Sequence, residues 1–151
     1  MSDIGAAGRA RVLVCITCRA ATLPSDTLRA DAPRADASRA DAPDADALRT
    51  GLALAEATAI AAANASDISV QRIRCLGNCS RGLSAAIRGE NTWTYVFGGL
   101  EPARDGPSLI IGARLLALAA DGIMPWRGRP ESLKRGLIAR VPPANFQGEL
   151  P

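Results

Sequence analysis

Residues 68–82 read ISVQRIRCLGNCSRG, and the reading of this stretch decides the fold. Ile68–Arg74 carries the apolar and β-branched residues of a strand. It delivers Cys75 at its C-terminal end, and Gly77 lets the chain turn tightly before Cys79. The plan recurs near the N-terminus: RVLVCITC, residues 11–18, is a short apolar run ending in Cys15 and Cys18. Between the two, Leu48–Ala63 predicts a helix, with Leu48, Leu52, Ala55, Ala59, Ile60 and Ala63 near one face and Asn64 as a stop. Strand, helix and strand make a right-handed parallel unit. Parallel neighbours end on the same side, so both cysteine pairs are expected at one end of the sheet.

Working outward, Leu83–Arg88 and Thr92–Phe97 predict a hairpin across a Gly-Glu-Asn turn. Trp93, Tyr95 and Phe97 alternate, which puts three of the five aromatics on one face and assigns them to the core rather than to a base-stacking platform. Pro107–Ala120 predicts a second helix, with Pro107 in its first turn, Gly122 as its cap, and Leu109, Ile110, Ala113, Leu116, Ala117 and Ala120 as its apolar face. A short helix is expected at Pro130–Ala139, within a basic tail at 125–151 that holds Arg127, Arg129, Lys134, Arg135 and Arg140. That tail reads either as a dock for an acidic partner surface or as a solvated, amphipathic end. The expected fold class is α/β and thioredoxin-like: a four-stranded mixed sheet with packed helices, in a single domain over 1–151.

One segment does not fit this pattern. From Arg29 the chain reads RADAP, RADAS, RADAP, DADAL, a pentapeptide repeat without a large apolar residue before Leu48. Such a sequence cannot bury enough surface to offset its ordering entropy. Residues 24–47 are therefore expected to be a disordered, low-complexity insertion. Elsewhere the aromatic content is 3%, so the core must be built from small aliphatic side chains. The net charge of +3 makes no case for nucleic acid. The most apolar segment, Leu109–Ala120, is too short to span a membrane and carries Arg114. The N-terminus lacks a secretory pattern, and a cytoplasmic protein is expected.

In that compartment paired cysteines point to metal or redox chemistry rather than to structural disulfides. The chain has four cysteines and no histidine, so a soft metal centre must be built from thiolates alone. Cys15, Cys18, Cys75 and Cys79 are the candidate ligands of one four-thiolate site, suited to a 2Fe–2S cluster or to zinc. Arg19, Arg72, Arg74 and Arg81 would offset the negative charge of such a centre. Gly77, Arg81 and Gly82 are the further candidates for contact with the cofactor. A redox dithiol at Cys15–Cys18 is the third reading. Without histidine no catalytic triad is visible, so no catalytic residue is assigned and an electron carrier or metal-binding accessory protein is expected rather than an enzyme.

The stretch IRCLGNCSRGLSAAIRGENTWTYVFGGL, residues 73–100, resembles the C-terminal half of thioredoxin-like 2Fe–2S ferredoxins. Cys75, Leu76, Gly77 and Cys79 match their CLGxC turn, Gly82 the glycine that follows, and Gly89, Tyr95 and Val96 the hairpin. The spacing of Cys15 and Cys18 is much shorter than in those ferredoxins. The whole pattern is most similar to an uncharacterised bacterial family of predicted metal-binding proteins. The resemblance rests on the first cysteine pair, on CLGNCSRG, and on the tail PWRGRPESLKRGLIARVPP at 125–143. It implies a small ferredoxin-like protein associated with cobalamin-synthesis genes. Its partner would be a redox protein, with an enzyme of the cobalamin pathway as the candidate, and zinc or cobalt bound for structure or delivery is the alternative. No nucleic acid or membrane partner is expected.

Overall fold

The computed structural model describes residues 9–19 and 50–148. The elements are β1 (Ala10–Cys15), α1 (Gly51–Ala61), β2 (Ile68–Ile73), β3 (Leu83–Gly89), β4 (Thr94–Leu100), α2 (Pro102–Ala117), α3 (Glu131–Arg135) and β5 (Leu137–Val141). A single 3-10 turn covers Cys79–Arg81. The repeat insertion expected at 24–47 lies outside the described residues, as does Leu48.

β1 and β2 are parallel, in register from Ala10 opposite Ile68 to Cys15 opposite Ile73. β3 runs antiparallel to β1, β4 to β3, and β5 to β4. The order across the sheet is β2-β1-β3-β4-β5. Its first four strands, with α1 and α2, form the expected thioredoxin-like arrangement. The fifth strand corrects the expected count of four.

That strand divides the helix expected at Pro130–Ala139. α3 is one short helix in which Arg135 Nε donates to Glu131 Oε1 at 3.0 Å. Gly136 ends it and lies against β4: Gly98 N–H donates to its carbonyl at 2.8 Å. A Cβ on Gly136 would stand 2.6 Å from the Gly98 carbonyl oxygen. The Leu-Ile-Ala-Arg-Val that follows then pairs with the edge of β4. The tail is thus part of the sheet, and its Arg129 is buried.

α1 and α2 pack on each other over one face of the sheet. Val12, Val14, Ala85, Ile87, Tyr95 and Phe97 from the strands meet Leu54, Leu109 and Leu116 from the helices in one apolar cluster. Tyr95 and Phe97 stack with centroids 6.4 Å apart, and Trp93 is buried beside them. The alternating aromatics are core, as their spacing predicts. The face of α1 differs from expectation: Leu54, Ala55 and Thr58 are buried, whereas Leu52 and Ile60 are exposed. α1 is apolar on most sides, so periodicity alone could not orient it.

α2 starts at Pro102, ahead of the expected Pro107, which lies inside the helix. Pro102 takes the first-turn position that suits proline. Asp105 then closes the end, accepting from Glu101 N–H at 2.7 Å and from Arg104 Nη2 at 2.8 Å. Gly106 allows the close crossing of α1, since a Cβ there would stand 2.7 Å from the carbonyl carbon of Ala57. Gly122 does not cap the helix. It turns the chain beyond it at φ +71° and accepts Trp93 N–H at 2.9 Å. No helix among the described residues is long and apolar enough to cross a membrane.

Asp105 is fully buried. Burial disfavours its charge, but the Arg104 guanidinium and the Glu101 N–H outweigh this and hold its carboxyl below the usual aspartate range. A depressed native pKa stabilises the fold above the unfolded-chain value of about 3.9, and that stabilisation is lost as the pH falls through the native value. Asp105→Asn is expected to cost about 1–3 kcal/mol near neutrality. Its deficit against the natural protein should shrink below about pH 4 in denaturant titrations, and a deficit independent of pH would contradict this account.

Candidate metal centre

Cys15 is the last residue of β1, and β1 is held beside β2 as far as Ile16, whose N–H donates to the Ile73 carbonyl at 3.0 Å. The chain then turns through Thr17 and brings Cys18 back, with the two sulfurs 3.1 Å apart. Both cysteines are buried, and neither forms a disulfide. Gly51 at the start of α1 clamps this turn. Its N–H donates to the Cys18 carbonyl at 2.9 Å, and a Cβ there would overlap the Cys15 carbonyl oxygen. Arg19 and Thr50 complete the clamp as an isolated antiparallel bridge.

The second pair leaves the end of β2, next to the first. The Arg74 carbonyl accepts from the Thr17 hydroxyl, and it lies 3.4 Å from Cys15 Sγ, which donates to it when protonated. Gly77, at φ +72°, turns the chain and donates its N–H to Cys75 Sγ at 3.1 Å. Asn78 fixes the loop, its Nδ2 donating to Ser84 Oγ at 2.8 Å and its carbonyl accepting Arg81 N–H at 3.1 Å. Gly82, at φ +75°, returns the chain into β3. Beneath the loop lies Gly98 of β4, where a Cβ would meet Asn78 Nδ2 at 2.7 Å, Ile138 Cδ1 at 2.6 Å and Arg81 Cβ at 3.3 Å.

The topology therefore sets both pairs at the same end of adjacent strands. Cys15 and Cys18 touch, whereas Cys75 and Cys79 are exposed. Among the described residues no three Cys, His, Asp or Glu side chains converge on one point with metal-holding geometry. The pairs nevertheless sense each other. Burial and the Cys15 sulfur push the Cys18 thiol up to about 12, and the charges of Cys79 and Cys75 add to the effect. At Cys15 burial also disfavours the charge, but hydrogen bonding from Cys18, the Leu76 N–H and Thr17 outweighs it, and its pKa is lowered. The two sulfurs are thus driven apart in acidity, Cys15 below and Cys18 above the usual thiol range.

Gly77 and Gly82 have the positive φ that makes them turn residues, and Arg81 is an exposed side chain on the same loop. Arg19, Arg72 and Arg74 are exposed as well. Thr17, Gly51 and Asn78 are site residues that the sequence reading missed. Thr17, lying between two cysteines, was the visible signal. Gly51 could be assigned only once the packing of α1 against the cysteine turn was known. The donor set suits a thiophilic metal, because four thiols stand at one sheet end and backbone N–H groups already point at two of the sulfurs.

A solved structure of a thioredoxin-like [2Fe-2S] ferredoxin from Aquifex aeolicus is similar to this chain, at 14% identity and a TM-score of 0.49, covering 93% of this chain and 100% of the other. No curated protein matches. A family model described as "Protein of unknown function (DUF1636)" matches residues 34–143, and the chain belongs to that family.

Proposed function

We propose that this protein is a small electron carrier that holds a 2Fe–2S cluster on Cys15, Cys18, Cys75 and Cys79. One observation carries the reading: β1 and β2 are adjacent and parallel, and each ends in a cysteine pair on the same side of the sheet. A bound cluster of this type accepts and releases single electrons. The chain's own residues supply the setting. Gly77 N–H and Leu76 N–H donate to cysteine sulfurs, and the Leu76 bond helps to lower the pKa of Cys15. The Gly51 clamp fixes Cys15 and Cys18 from the helix side. The exposed Cys75 and Cys79 sit where a redox partner protein can approach. The reading asks for no catalytic residue. It places the protein in the cytoplasm, where thiols stay reduced. The cobalamin association implied by the sequence resemblance makes an enzyme of corrinoid reduction a candidate partner.

A four-thiolate zinc or cobalt site, structural or for metal delivery, is the second reading. The two-residue gap between Cys15 and Cys18 favours it, since that spacing is common in zinc sites. Anaerobic purification from iron-replete cells separates the two. The cluster reading expects a brown protein with about two iron atoms and matching labile sulfide per chain. A colourless protein with about one zinc per chain would replace it with the second reading. A protein with neither metal would remove both.

A further inference from the structure

A groove of about 490 Å³ lies at the β4–β5 edge of the sheet, whereas the cysteines follow β1 and β2 at the other edge. Tyr95, Met124, Trp126, Arg129, Leu137 and Arg140 line it. Arg129 is only 7% exposed, yet among the described residues it makes no ion pair. Its partners are neutral: Nη2 donates to the Met124 carbonyl at 2.6 Å and Nε to the Pro125 carbonyl at 3.4 Å. The guanidinium lies 5.4 Å from the Tyr95 ring centroid and 5.3 Å from that of Trp126. A buried cation without a counter-charge is costly. Burial, first, and the nearby Arg140 charge lower its pKa, against a smaller opposing effect of the Tyr95 phenol.

Two further donors face the same space. Tyr95 Oη accepts from Met124 N–H at 2.9 Å. A phenol also has one hydrogen to donate, and no described residue accepts it. Arg140, exposed and 5.0 Å over the Trp93 ring, adds a second guanidinium without a carboxylate partner among the described residues. The lining also holds one acid, the exposed Asp121, whose Oδ1 accepts from Ile123 N–H at 3.0 Å, so the two guanidinium groups outweigh it by one charge. The remaining walls are apolar, and Trp126 presents an exposed indole. The groove thus offers two cations and a hydroxyl donor beside a flat apolar surface.

We propose that this groove binds a small organic anion, with a carboxylate or phosphate head held by Arg129, Arg140 and the Tyr95 hydroxyl and a flat apolar body against Trp126 and Met124. The proposal is independent of which metal the cysteines hold. Its test is calorimetric titration of the full chain with 2-naphthoate, indole-3-acetate, 2-naphthyl phosphate, the neutral 2-naphthamide and inorganic phosphate. Saturable binding of an aromatic anion at a single site is expected, with the amide and inorganic phosphate each weaker by roughly tenfold or more. The carboxylates and the phosphate ester, compared with each other, identify the head group. Arg129 also anchors Met124, so Arg129→Met could act through folding. The exposed Arg140→Gln and Trp126→Ala carry the test instead, each expected to weaken the aromatic anion by roughly tenfold. The proposal is overturned by an amide or inorganic phosphate that binds as tightly, by unchanged affinity in both variants, or by no binding of any aromatic anion at millimolar concentration.

Discussion

Cys79→Ser is expected to lower bound iron from about two atoms per chain to less than about a tenth of that, with loss of the visible absorption. Position 79 is the cleanest place to ask. Its side chain is exposed, and the hydrogen bonds that hold the loop run through Asn78, Ser84 and Arg81 rather than through its sulfur. A serine there leaves the packing intact, so the metal-free variant should unfold within about 0.5 kcal/mol of the natural chain. Loss of metal without loss of stability then reports ligation alone. The same variant would strip zinc from a four-thiolate site, so it tests the ligand set whatever the metal. Full retention of iron and colour would instead show that position 79 is not a ligand and would overturn the four-thiolate set.

Gly51→Ala is expected to destabilise the protein by ~3 kcal/mol and to loosen the cysteine turn. Helix propensity predicts the opposite sign, a gain of about 0.5–1 kcal/mol for alanine over glycine inside a helix. Overlap decides the outcome. The new methyl would collide with the Cys15 carbonyl oxygen and stand 3.0 Å from the Ile16 carbonyl carbon. Backbone cannot swing aside as a side chain can, and the Gly51 N–H bond to the Cys18 carbonyl would break if α1 retreated. Urea unfolding gives the stability, and metal release to a chelator gives the effect on the turn. An unchanged or raised midpoint would mean that α1 can slide away from β1 without penalty.

The parallel unit was legible because local signals agreed. Two apolar runs each ended in a cysteine pair, and a helical segment long enough for a crossover lay between them. The alternation of Trp93, Tyr95 and Phe97 likewise identified one buried face. The errors fall where tertiary contacts overrule local pattern. PARDGP is polar and contains two prolines, yet it is helical because Asp105 caps it and Gly106 nests against Ala57. The first three residues of β5, Leu137–Ala139, are read with the helix before them because a five-residue edge strand has little period to show. The break at Gly136 is set by the Gly98 backbone, nearly forty residues earlier in the chain. At the cysteines, spacing indicated which end of the sheet they share, but the close contact within the first pair and the exposure of the second depend on how α1 and β4 pack on their turns.

Gly98 lies where the Asn78 amide and the Ile138 side chain press on the same point of β4. This has a biosynthetic consequence. The loop bearing Cys75 and Cys79 emerges from the ribosome well before Ile138, and until that segment arrives the Asn78 amide lacks the Ile138 side chain that closes on the same point. The full seating of the cysteine loop is then a property of the finished polypeptide rather than of the nascent one.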